Sequence, residues 1–179
     1  MDRGKTWSLL GPDMAAAAIS DLIIQEREMD LIASTHGRGI YKMNLRPIQE
    51  AFKGGSSQEN ILFEIPAARL PRINDSHGDP DYSTMEKVPI TFYLTKDAEV
   101  NISVTDEKDK TRWSKTLRAH KGFNQVRWDL VTNKVDSQWP YFIHYFRFVK
   151  PGAYTLQVTG KHIKLEGKLE VIEYKSKES

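Results

Sequence analysis

Gly122-Phe-Asn-Gln-Val-Arg-Trp-Asp-Leu130 is the stretch whose reading decides the fold. Val126, Trp128 and Leu130 alternate with Gln125, Arg127 and Asp129, the two-residue period of a half-buried β-strand. A Trp flanked by aliphatic residues on one strand face needs a second sheet to cover it. The neighbouring runs can supply one: Ile90, Phe92 and Leu94 alternate, as do Val100, Ile102 and Val104, and again Tyr154, Leu156 and Val158. The charged Asp106–Lys110 makes a hairpin turn into a return strand, Trp113–Leu117. Lys150-Pro-Gly-Ala153 has Pro and Gly placed for a type II turn, and Ile163, Leu165, Leu169 and Val171 follow it. Short alternating runs with turn chemistry between them predict an all-β chain built on an antiparallel β-sandwich over residues 87–174.

Upstream, Ile19–Ile24, Leu31–Thr35 and Ile40–Asn44 read as three strands, joined by the polar turn from Gln25 to Asp30 and by His36-Gly-Arg-Gly39. Arg46–Phe52 suits one helical turn or an extended exit strand, and Lys53-Gly-Gly-Ser-Ser-Gln58 has the composition of a flexible linker. Asn60–Ile65 is a short apolar strand closed by Pro66, and residues 67–86 read as a loop. The expected organisation is thus a strand-rich segment over 1–46, a linker with a short strand over 47–86, the sandwich over 87–174 and a polar tail over 175–179.

Composition narrows the function classes. At 179 residues, with 39% hydrophobic and 28% charged residues, the chain can bury a sizeable core. A net charge of +2, with no basic run interleaved with aromatics, argues against nucleic acid as a partner. Cysteine is absent, which excludes disulfides and thiolate metal sites. No apolar run has the length of a membrane span, and Met1–Lys5 is not followed by the apolar region of a signal peptide.

Candidate chemistry is sparse. No nucleophile elbow and no convergent catalytic set is visible, so no catalytic residue and no cofactor is expected. His36 and Arg38, between Gly37 and Gly39, could hold an anion or a sugar acid, although turn geometry alone accounts for the glycines. Asp75, Asp79 and Asp81, with Asn74, offer oxygen ligands, but not at the spacing of a calcium loop. His36, His77, His120, His144 and His162 are too scattered for zinc, and no metal is expected. Trp139-Pro-Tyr-Phe-Ile-His-Tyr-Phe-Arg-Phe148 is the densest aromatic run. As a strand it turns Phe142, Phe146 and Phe148 to a core. Trp139, Tyr141 and Tyr145, with Arg147, are left as a half-wet surface for a sugar or a protein.

Two regions of the chain resemble known families, each through a pair of short stretches. Asp2-Arg-Gly-Lys-Thr-Trp7 resembles the Asp-box of BNR-repeat β-propellers, and Asp30-Leu-Ile-Ala-Ser-Thr-His-Gly-Arg-Gly-Ile-Tyr41 is similar to a closing blade of sortilin/VPS10-like propellers. In that pattern Asp2, Gly4, Thr6 and Trp7 build a turn between blade strands, and Gly37 and Gly39 serve the hairpin. Ser20 and Gln25-Glu26 depart from the pattern. Gly122–Leu130 together with Lys150–Val158 resembles the Ig-like domain of flagellar hook-capping proteins, with Trp128 in its core. The resemblances imply strands of an incomplete propeller blade followed by an Ig-like sandwich. The chain is then expected to be the C-terminal part of an exported (periplasmic, cell-surface or secreted) protein. Its expected partners are the missing N-terminal blades and a glycan or protein ligand, and it would act as a non-catalytic accessory module. The alternative is the C-terminal portion of a BNR-repeat glycoside hydrolase whose active site lies in those blades.

Overall fold

The computed structural model describes residues 14, 16–52, 59–73, 80–133 and 148–174. Three strands come first: β1 (Ile19–Gln25), β2 (Asp30–Thr35) and β3 (Ile40–Asn44), followed by the short helix α1 (Arg46–Ala51). Then come β4 (Ile61–Leu62), β5 (Ala68–Arg69), β6 (Val88–Leu94), β7 (Ala98–Asp106) and β8 (Thr111–Ala119). The last are β9 (Gly122–Trp128), β10 (Gly152–Gly160) and β11 (Ile163–Ile172). These strands form an antiparallel meander β1-β2-β3, a five-stranded sheet β5-β11-β10-β7-β8 and a three-stranded sheet β4-β6-β9.

The last two sheets face each other as a β-sandwich. Alternation decides which side chains meet, and Ile90, Phe92, Ile102, Val104, Leu156 and Val158 are fully or almost fully buried in one core. Trp128 lies among them at 1% exposure, its ring 5.7 Å from that of Trp113 on the opposite sheet. The register expected for Val126 and Trp128 is the observed one. Leu130 is buried for a different reason. The strand ends at Trp128, and Leu130 takes a left-handed φ of 63° in a turn, with Asp129 Oδ1 accepting the Val131 N–H and the Trp128 indole donating to the Val131 carbonyl at 2.9 Å.

Residues 60–70 belong to the sandwich and are more than a linker and loop. Ile61–Leu62 pairs with β6, the Phe63 N–H continues to the Thr91 carbonyl, and Ala68–Arg69 then pairs with β11 in the other sheet. Pro66, which has no N–H to donate, marks the crossing. The β5–β11 pair is parallel, so the sandwich is antiparallel in all its pairs but this one. Gly167 lets β4 come close, since a Cβ there would stand 3.0 Å from the Leu62 side chain.

The turn at Lys150 also differs from expectation. Gly152 takes φ of 147°, well away from the ~80° of a type II turn and accessible to glycine almost alone. The corner is held instead by the Tyr154 hydroxyl, which donates to the Lys150 carbonyl at 2.7 Å.

Helix α1 carries the chain from the meander onto the sandwich. Phe52, just after it, meets Tyr93 edge-on at 5.7 Å and Phe123 at 6.1 Å, on the outer face of β6 and β9. Phe63 stacks on Phe123, and Ile48 and Ile61 close a second apolar cluster.

Two substitutions test this packing. Trp128→Ala is expected to cost about 3–5 kcal/mol in chemical denaturation, the usual range for truncating a buried large aromatic. Gly160→Ala would put a Cβ 2.7 Å from the backbone carbonyl oxygen of Glu99, and its expected cost is about 1–3 kcal/mol. A neutral result at Gly160 would mean that β7 and β10 separate freely at that end.

Candidate functional site

The meander presents the least satisfied surface among the described residues. Cross-strand pairing puts Leu22, Ala33 and Tyr41 in one row and Ile24, Leu31 and Met43 in the next, all on the same face. That face carries no charge. Every residue of β1 is exposed, Leu22 at 55% and Ile24 at 53%. The opposite face is mixed: Ile23, Ile32 and Lys42 form one row beside the polar row Gln25, Asp30 and Asn44, and Lys42 reaches across to pair with Asp30 at 2.8 Å while the Asn44 amide donates to Asp30 at 3.1 Å. The Lys42 ammonium beside Asp30 holds that carboxyl below the ordinary carboxylate value, and Asp30 raises Lys42 in turn.

His36 and Arg38 lie in the β2–β3 turn. Gly37 and Gly39 take φ of 81° and 83°, and the Thr35 hydroxyl and N–H both donate to the Gly39 carbonyl. Both glycines are therefore required by the turn. His36 and Arg38 are exposed.

A cleft of about 320 Å³ opens at the end of the sandwich near the β7–β8 turn, lined by Asp106, Arg112, Thr132, Phe148, Lys150 and Tyr154 among others. Its volume is that of a small ligand site, but its central ion pair, Asp106 with Arg112, is already engaged. Asp106 Oδ1 accepts the N–H groups of Lys108 and Lys110, and Oδ2 accepts Arg112 Nε and Nη2, each at 2.7 Å. The Lys110 N–H first, and then Arg112, keep Asp106 below the usual carboxylate range. Asp109 takes the left-handed φ of 57° that a glycine would otherwise supply. Burial pushes the Tyr154 phenol up. The group of residues fastens a turn; it has no free nucleophile beside a base. Sequence reading missed it, because only the fold brings Lys150 and Tyr154 to Asp106.

Of the remaining expected residues, Trp128 is structural. Asn124, not singled out from the sequence, accounts for the motif around it: Oδ1 accepts the His120 N–H, and Nδ2 donates to the carbonyls of His120 and Gly122. Asp81 caps a turn by accepting the Ser83 hydroxyl and N–H, which lowers its pKa, and no metal-holding group occurs among the described residues. Trp139, Tyr141, Tyr145 and Arg147, the core candidates Phe142 and Phe146, and the Asp-box residues Asp2, Gly4, Thr6 and Trp7 all lie outside the described residues. Phe148 packs half-buried against the core, as expected. Among the described residues no helix is long and apolar enough to cross a membrane. No protein-family model matches the chain, and no curated protein matches it.

The carboxylates set the pH response. Asp30, Asp81 and Asp106 all have folded pKa values below 3.8. Their stabilisation is present above 3.8, the unfolded value, and is lost as pH falls through the folded values. An acid limb that develops as pH falls through the ordinary carboxylate range toward the lowered folded values is expected in a pH series of thermal melts, and Asp106→Asn should make it shallower. An unchanged limb in that variant would show that the turn clamp adds nothing.

Proposed function

We propose that this chain is a non-catalytic accessory module of an exported propeller protein, in which β1–β3 is part of a blade and the sandwich is an Ig-like domain that packs and binds beside it. The observation that carries the reading is the uncharged face of Leu22, Ile24, Leu31, Ala33, Tyr41 and Met43. A sheet with apolar residues on both sides of one edge strand is built to be covered by other sheets, as the blades of a propeller cover one another. The Ig-like part is supported by the two-sheet strand order with a first segment that changes sheets, and by Tyr154, near the start of β10, bonding back to the Lys150 carbonyl.

The test is hydrogen exchange on the chain alone and mixed with the preceding region of its parent protein. Residues 19–44 should exchange much faster than the sandwich in the isolated chain and gain protection in the mixture, and Ile24→Lys should abolish the gain while leaving the sandwich untouched. If residues 19–44 of the monomeric isolated chain are already as protected as the sandwich, the blade reading fails.

A further inference from the structure

We propose that the end of the sandwich formed by the β6–β7 and β10–β11 turns binds an acidic polysaccharide. A groove of about 790 Å³ runs between these turns. Lys96, in the β6–β7 turn, and Lys161, in the β10–β11 turn, both line it, and neither makes an ion pair among the described residues. Lys121 and Lys164 stand exposed at the same end of the strands, so four lysines gather there; Asp97 and Glu99 are the acidic residues that line the groove, with Glu166 one row further along β11. Asp97 is partly spent, because its Oδ1 accepts the Lys121 N–H at 2.7 Å, and Glu99 pairs across the ladder with Arg118. A net charge of +2 over the whole chain conceals this local excess.

The groove opens onto a second feature that points to sugar. Its floor includes Thr116, Asn101 and Thr159, which form one cross-strand row on the outer face of the five-stranded sheet. The next row is Ser114, Ser103 and Gln157. Strand spacing of about 4.8 Å makes these two rows a close array of hydroxyl and amide groups across β8, β7 and β10; on β11 the rows continue into Lys164 and Glu166, and the Glu166 carboxylate accepts the Gln157 amide N–H at 2.9 Å. Asn101 Oδ1 accepts the Thr116 hydroxyl, which leaves its amide N–H groups as donors. Cations beside a hydroxyl and amide array match a chain bearing both acid groups and neutral hydroxyls. A lipid surface is a poorer match, since membrane attachment needs inserted apolar residues, and among the described residues every large exposed apolar side chain lies elsewhere, in residues 14–40 or at Ile73. Single-stranded nucleic acid would call for a platform of stacking aromatics, and no Phe, Tyr or Trp is among the described residues that line the groove.

The inference rests on the sandwich being a binding module but does not involve the partner of β1–β3, so either experiment can fail without the other. The full chain would be titrated with polygalacturonate and with heparin at low and moderate salt, with dextran and phosphatidylserine vesicles as controls. Saturable, salt-sensitive binding to at least one acidic glycan is expected, with dextran and vesicles inert. Lys96→Glu with Lys161→Glu should weaken it by about tenfold or more, and Asn101→Ala with Thr159→Ala by about threefold or more, each a loss of one to a few polar contacts. Circular dichroism would confirm that the variants remain folded, and Lys→Gln versions serve if the reversals do not. Binding to neither glycan, equal binding to the vesicles, or affinity indifferent to the lysines would overturn the proposal.

Discussion

Trp113 and Trp128 meet between the two sheets of the sandwich, and much of the chain is arranged by that contact. They sit on β8 and β9, which are consecutive in sequence yet belong to different sheets. Only His120 and Lys121 separate these strands, so the crossing is abrupt, and the Asn124 side chain takes up the backbone groups of His120 that it exposes. Beyond Trp128 the indole N–H binds the Val131 carbonyl, Leu130 turns into the core, and the Leu130 carbonyl accepts the Val149 N–H where the chain returns. Tyr154 then secures the entry to β10. Losing the indole pair would loosen both sheets and the path between them.

The meander is built by the same pleat but lacks this closure. Its buried positions are few, Ala33 and Asp30, while its edge strand is exposed on both faces. Small open sheets bury too little apolar surface to be stable alone. What ties it to the rest is the short passage through α1 to Phe52, which docks on Tyr93 and Phe123 outside the main core. An aromatic cluster on the outer face of a sandwich sheet, where solvated residues are ordinary, thus works as the joint between the two parts.

The chain's polar chemistry divides by the same logic. Where carboxylates gather hydrogen bonds, at Asp30, Asp81 and Asp106, each fastens its own turn or strand end and is satisfied there. Where cations lack such partners, at Lys96 and Lys161, they face a groove. A saturated ion pair holds shape, whereas an unpaired charge beside hydrogen-bonding groups is available to a ligand.

Sequence by itself determined the all-β class, the placement of the main strands and the core residues Ile90, Phe92, Val100, Trp128, Leu156 and Val158, because a two-residue period is local and each strand displays it. It also marked the glycines of the His36–Gly39 turn, since φ values above zero leave few alternatives. Tertiary structure alone decided which sheet each strand joins, that residues 60–70 serve both sheets, and that Asn124 faces inward as a bracket. It also decided that Lys96 and Lys161, far apart in the chain, line one groove. These depend on pairing partners distant in sequence, and no local pattern encodes a partner. Leu130 shows the difference: alternation put it inside, but a turn set by Asp129 and Trp128 is what carries it there.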